Sequence, residues 1–269
     1  TESMSEFKYG FRYDPMTWVE RDRSLQGAMV RSLILDQPRD DDGDALGREV
    51  EKILGGQLPD GRLDDHPAHG LQFTAGKLSR LAELGCPSDR PEVVKAVAVI
   101  LGKEKANEAD PLGIYDVRAL CQLGLAGRAD HATVVRDGLQ RCLEREKEWG
   151  DMWEGCPWTP IEHLITLWHG RSSAETEPVV LRWLKRFVQE VNAAGCWSYK
   201  DPWGLVRLTS EVASPAARDL LLKEIPVILR GQQADGGWGD RSVSVFRALK
   251  THGLLEPLGK QRPLPPDWQ

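Results

Sequence analysis

Apolar positions recur along this chain at spacings of three and four residues. That period lines one face of an α-helix. It runs through "LQFTAGKLSRLAELG" after Gly70, "LGIYDVRALCQLGLAG" after Pro111, "WTPIEHLITLWHG" after Pro157 and "LLLKEIPVILR" from Leu220. Pro91 opens "PEVVKAVAVIL" at the first-turn position that proline favours. No run follows the two-residue alternation of a half-buried strand. The pattern predicts an all-α chain.

The helices come in pairs. Loops hand over to new helices near Ser24, Gly70, Ile114, Trp158, Pro202 and Arg241, at spacings close to 44 residues, the last nearer 39. Each period reads as helix, turn, second helix and longer loop, the signature of a helical repeat. Five to six hairpins are predicted over residues 23–256, with an N-terminal extension at 1–22 and a proline-rich tail at 257–269. The tail leaves the sixth hairpin without its second helix, a gap that the N-terminal segment with Trp18 is placed to fill.

Four of the longer loops share a theme: "GGQLPDGRLDD", "REKEWGDMWEG", "QEVNAAGCWSY" and "GQQADGGWGD". Gly and Asn supply left-handed caps after an apolar helix, and an aromatic follows in three of the four. This succession of Gln, Gly and aromatic resembles the repeat of terpenoid cyclases and protein prenyltransferase β-subunits. "VILRGQQADGGWGD" matches best; "LGGQLPDGRLDD" keeps Gln-x-x-Asp-Gly but has Leu at the aromatic position. The resemblance implies a single α/α toroid, inner helices around a central cavity, with Trp238 and Trp197 as structural staples. It also implies isoprenoid chemistry, but the family's reactive groups are missing. No stretch matches the cyclases' Asp-x-Asp-Asp acid, and none reproduces the prenyltransferases' zinc-binding Asp-x-Cys. "DDDGD" at 40–44 has another order and reads as a solvated helix-start cluster, with a calcium site as the competing reading.

Composition narrows the function. With 41% hydrophobic and 28% charged residues, the 269-residue chain suits a large core. A net charge of −6 without a basic stripe argues against nucleic acid as a partner. No apolar run approaches the roughly 20 residues of a membrane span. Five irregularly spaced cysteines form neither a disulfide framework nor a zinc motif and fit a reducing, cytoplasmic setting. No secretory leader opens the sequence as given, and Met4 reads equally as an initiator behind three extra residues.

In a toroid the inner-helix N-termini converge on the cavity mouth, so the residues near those starts are the candidate site. His66, His69, Tyr115, Asp116, Glu162 and His163 are the acid/base candidates. Trp158, Trp203, Arg207, Asp240 and Arg241 are the substrate-binding candidates, through stacking and charge. Each has a structural alternative. "DDHPAH" reads as a capping turn with Asp at the N-cap, and a metal pair at His66 and His69 lacks a third ligand. Tyr115 reads as a core residue and Asp116 as an exposed one. Glu162 and His163 diverge by about 100° on their helix, which brings only one of them to a cavity. Arg207 reads equally as a surface ion-pair residue. With only five Phe and four Tyr, this polar set suits a small-molecule or oligosaccharide substrate better than a hydrocarbon. The sequence therefore predicts a lyase or glycoside hydrolase without metal or cofactor, against two alternatives: an isoprenoid cyclase- or transferase-like enzyme, and a non-catalytic binding toroid. It leaves the oligomeric state open.

Overall fold

A computed structural model describes residues 10–106, 112–149, 158–171, 174–191 and 203–258, with the backbone alone at 103–106 and 158–159. Trp153, Trp197, Cys156 and Cys196 lie outside the described residues, as does the side chain of Trp158. Among the described residues every regular element is helical, and no helix is long and apolar enough to cross a membrane. The chain divides into a middle unit, Gly47–Val180, and a terminal unit, Thr1–Leu46 with Leu181–Gln269.

The middle unit takes the end of α3 (Asp42–Gly55), then α4 (Gly70–Glu83), α5 (Pro91–Ala106), α6 (Ile114–Gln122), α7 (Ala132–Lys147), α8 (Trp158–His169) and the start of α9 (Thr176–Glu190). α6 packs between α4 and α8, while α5 covers α4 and α7 covers α6 and α8. Sequence patterning explains the two rows. α7 buries one stripe, Val135, Gly138, Leu139, Cys142, Leu143 and Glu146. α8 is buried on all sides from Pro160 to Trp168, the polar Glu162, His163 and Thr166 included. Gly138 lets α6 approach α7: a Cβ there would lie 2.5 Å from Val117 Cγ2.

The terminal unit contains α1 (Pro15–Arg21), α2 (Leu25–Met29) running into a π-helical turn at Val30–Ile34, α10 (Trp203–Glu211), α11 (Pro215–Arg230), α12 (Ser242–Thr251) and α13 (Leu255–Leu258). α12 packs between α10 and the α2–π segment, and α11 packs on α10. Phe11, Trp18, Val206, Leu221, Ile228, Trp238 and Phe246 belong to one buried cluster.

Two of the repeated loops are described in full, one per unit, and they have the same turn. Gln57 Nε2 donates to Gly61 O at 3.0 Å and to Glu92 O, at the start of α5, at 2.8 Å. Gln232 Nε2 donates to Gly236 O at 3.0 Å and to Tyr13 O, just before α1, at 2.9 Å. Asp60 accepts from Arg62 N–H and Asp235 from Gly237 N–H. Gly61 and Gly236 both adopt positive φ, 97° and 95°, where a side chain is strained. Each glycine also meets backbone: Lys95 O at Gly61, Asp14 O at Gly236. The next helix closes each turn with a hydroxyl, Thr74 Oγ1 accepting from Leu63 N–H and Ser242 Oγ from Trp238 N–H. Leu63 thus occupies the place of Trp238, and both are buried. The residues before α1 stand to α12's loop as the start of α5 stands to α4's loop. Phe11 and Trp18 pack there, Phe11 edge-on to Trp238 and Trp18 stacked on Phe246.

The acidic run at 40–44 differs from the solvated cluster expected. Asp40, Asp41 and Asp44 are exposed, but Asp42 is buried against Arg31. Arg31 Nε and Nη2 grip the carboxylate at 2.8 and 2.5 Å, and Nη1 donates to Val19 O and Asp22 O, both at 2.7 Å. Every guanidinium nitrogen is used, which makes this charge tolerable in a core. The same grip leaves Asp42 unavailable to calcium.

Candidate functional site

The predicted site residues fall into separate groups. The first forms where α6 meets α8. Arg118 of α6 and Glu162 of α8 make a buried ion pair, each side chain 7% exposed. The Arg118 guanidinium also lies over the Tyr115 ring, 5.3 Å from its centroid. Thr166 Oγ1 lies 3.1 Å from Ile114 O and 2.9 Å from Glu162 O, tying the start of α6 to α8. Asp116, expected to be exposed, is buried; its carboxylate accepts from Gly113 N–H at 2.8 Å and caps α6.

His163 is buried too, and Trp149 meets it edge to face at 5.3 Å. Helix geometry does make Glu162 and His163 diverge, but α8 has protein on every side, so both directions lead inward. Tyr115, half-buried, is the most accessible of this group. The arrangement joins a phenol, a guanidinium–carboxylate pair and an imidazole within two adjacent helices. As a general base, Glu162 would first have to leave Arg118.

His66 and His69 form a second group at the start of α4. A turn precedes α4, but no aspartate caps it: His69 is the N-cap residue and its side chain makes no capping bond, while His66 Nδ1 accepts from His69 N–H at 3.0 Å and Ala68 N–H at 3.3 Å within the turn. Asp64 instead accepts from His66 N–H and pairs with Lys77 at 3.0 Å, contacts that hold its carboxyl below the usual carboxylate range. Asp65 is exposed. The two imidazoles stack at 5.1 Å, with Phe73 edge-on to His66 at 5.2 Å. Beside them lies an open cavity of about 440 Å³ lined by Arg62, Pro67, Ala68, His69, Gly70, Leu71 and Gln72. No cluster of three potential metal ligands occurs among the described residues.

The remaining candidates lie in the terminal unit. Arg241 stacks over Trp203 at 4.9 Å, and Trp203 packs so closely on Gly231 that a Cβ there would lie 2.4 Å from the indole. Asp240 and Arg241 are exposed on a 3-10 turn, and Arg207 is half-buried on α10. Sequence reading passed over two features that matter here. Trp149 gave no signal beyond its loop. The Arg31–Asp42 pair had one: an arginine inside the apolar run "AMVRSLIL" has to find a buried acceptor. Compared with protein-family models, curated proteins and solved structures, the chain matches none of them.

Proposed function

We propose that the chain is a single α/α toroid of the terpenoid-cyclase kind that binds a polar, saccharide-like ligand and performs acid/base chemistry on it, as a lyase or glycoside hydrolase. The shared Gln turns, the row α4–α6–α8 and the row α10–α12–α2 support the architecture. The observation that carries the function is the buried set Arg118, Glu162 and His163 with the half-buried Tyr115 beside it. A cavity built for a hydrocarbon would not desolvate a guanidinium, a carboxylate and an imidazole on adjacent inner helices. In this reading His163 carries the proton, Tyr115 assists, and Arg118 with Glu162 orients both. His66 and His69 lie at the start of α4, where backbone N–H groups and the helix dipole favour developing negative charge.

The engaged carboxylates favour a second reading, a toroid that binds without turnover. Asp116 caps a helix and Glu162 is ion-paired, so neither carboxylate is poised for chemistry. The isoprenoid reading has no such observation behind it. A panel of neutral and uronate oligosaccharides separates these readings. Binding with product formation, reduced about 100-fold or more in Tyr115→Phe and His163→Gln at unchanged melting temperature, supports the enzyme. Binding without turnover supports the binding module, and no saccharide binding at all overturns the proposal.

A further inference from the structure

α11 buries Glu224 completely, at 0% exposure. Its Oε2 lies 3.4 Å from Thr209 Oγ1 of α10, and Oε1 has no hydrogen-bond partner among the described residues. Thr209 has one hydroxyl proton, and Val206 O takes it at 3.0 Å. The shorter contact to Val206 O competes for that proton, and with it placed there the hydroxyl offers a lone pair to a protonated Glu224.

Among the described residues, burial and the Thr209 contact are what act on a carboxylate at this position. α10 carries Arg207 and Glu211; Glu211 pairs with Arg247 at 3.1 Å, and neither acts on Glu224. On α11, Arg218 donates to His252 O, while Asp219 and Lys223 are exposed and Arg230 stands near the helix end. His252, at the end of α12, places Nε2 2.9 Å from Thr209 O, a contact that makes this nitrogen a donor. Burial holds His252 below the ordinary imidazole value and pushes Glu224 well above the ordinary carboxyl value.

We propose that Glu224 is a proton-dependent latch between α10 and α11: protonated, it closes the helix pair through Thr209, and on releasing its proton to solvent it draws water in and loosens the pair. The effect reaches the Trp203–Arg241 stack, because Trp203 opens α10 and rests on Gly231 at the end of α11. The folded state holds a proton that the unfolded chain releases above the ordinary value of 4.5. The contribution is therefore full below that value and lost as pH rises toward the folded one, by up to about tenfold in the folded-to-unfolded ratio per pH unit.

Glu224→Gln keeps the shape and a donor toward Thr209 but cannot ionise. The test compares it with the parent by urea unfolding and by hydrogen exchange of α10 and α11 from about pH 5 to about pH 9; His252 is present in both proteins, so its titration cancels in the comparison. The parent should lose stability relative to the variant by about tenfold per unit until Glu224 ionises, with faster exchange in α10 and α11. Infrared spectra at the acid end of that range should also contain a protonated-carboxyl band that Glu224→Gln removes. Should that variant not fold, a shift of the band in Thr209→Val assigns it. Parallel pH profiles, or a parent without the band, overturn the latch.

Discussion

Replacing Trp238 with alanine is the sharpest test of the repeated turn as a structural device. The indole is 2% exposed, Nε1 donates to Ile228 O at 2.7 Å, and Phe11 and Phe246 meet it edge to face at 5.7 and 5.5 Å. Truncating a buried Trp costs about 3–5 kcal/mol from lost burial and the remaining cavity. The stranded Ile228 carbonyl contributes about 1–3 kcal/mol, partly within that figure, because neighbouring effects do not add. Trp238→Leu should cost less: Leu63 already fills the equivalent place in the middle unit, so the turn tolerates leucine. Urea unfolding followed by two independent probes measures the loss, since the two units need not unfold together. The melting temperature should fall by on the order of 10 °C. If Trp238→Ala melts like the parent and instead loses a ligand, the indole is a stacking platform and the structural argument fails.

Gln232→Ala should release the segment before α1 by removing the contacts to Tyr13 N, Tyr13 O and Gly236 O. Faster hydrogen exchange over residues 10–21 and a loss of about 1–3 kcal/mol are expected; unchanged exchange would mean that the aromatic contacts alone hold it. Arg31 lowers the Asp42 pKa below 3.8 through the hydrogen-bonded pair. That stability is present above 3.8 and is lost as pH falls below it toward the folded value. Arg31→Met should cost about 3–5 kcal/mol at pH 7 by leaving Asp42 buried and unpaired, with a shallower acid transition; equal stability at pH 7 would contradict the buried pair.

The sequence by itself determined whatever is local. Three- and four-residue spacing fixes which face of each helix is apolar, so the helical character of the described residues and the packed pairs α4–α5, α6–α7 and α10–α11 were legible. So was the turn around Gln57 and Gln232, because Gln, Asp and Gly act within five residues of one another; the leucine at position 63 changes what fills the core and leaves the backbone turn intact. The tertiary structure decided the partners. Gln232 meets Tyr13 across 219 residues, a pairing that no periodicity encodes; Arg118 and Glu162 stand one repeat period apart, 44 residues, but the period does not say that their side chains turn toward each other. The same holds for the charges. Asp42, in an acidic run that reads as solvated, is buried because Arg31 reaches it. Asp116 is drawn inward by Gly113 N–H. Glu162 and His163 both turn inward because neighbours enclose α8 on every side. A residue's own spacing states which way it points along its helix, but whether water, a countercharge or a packed wall waits there is set by chain segments that come together only on folding.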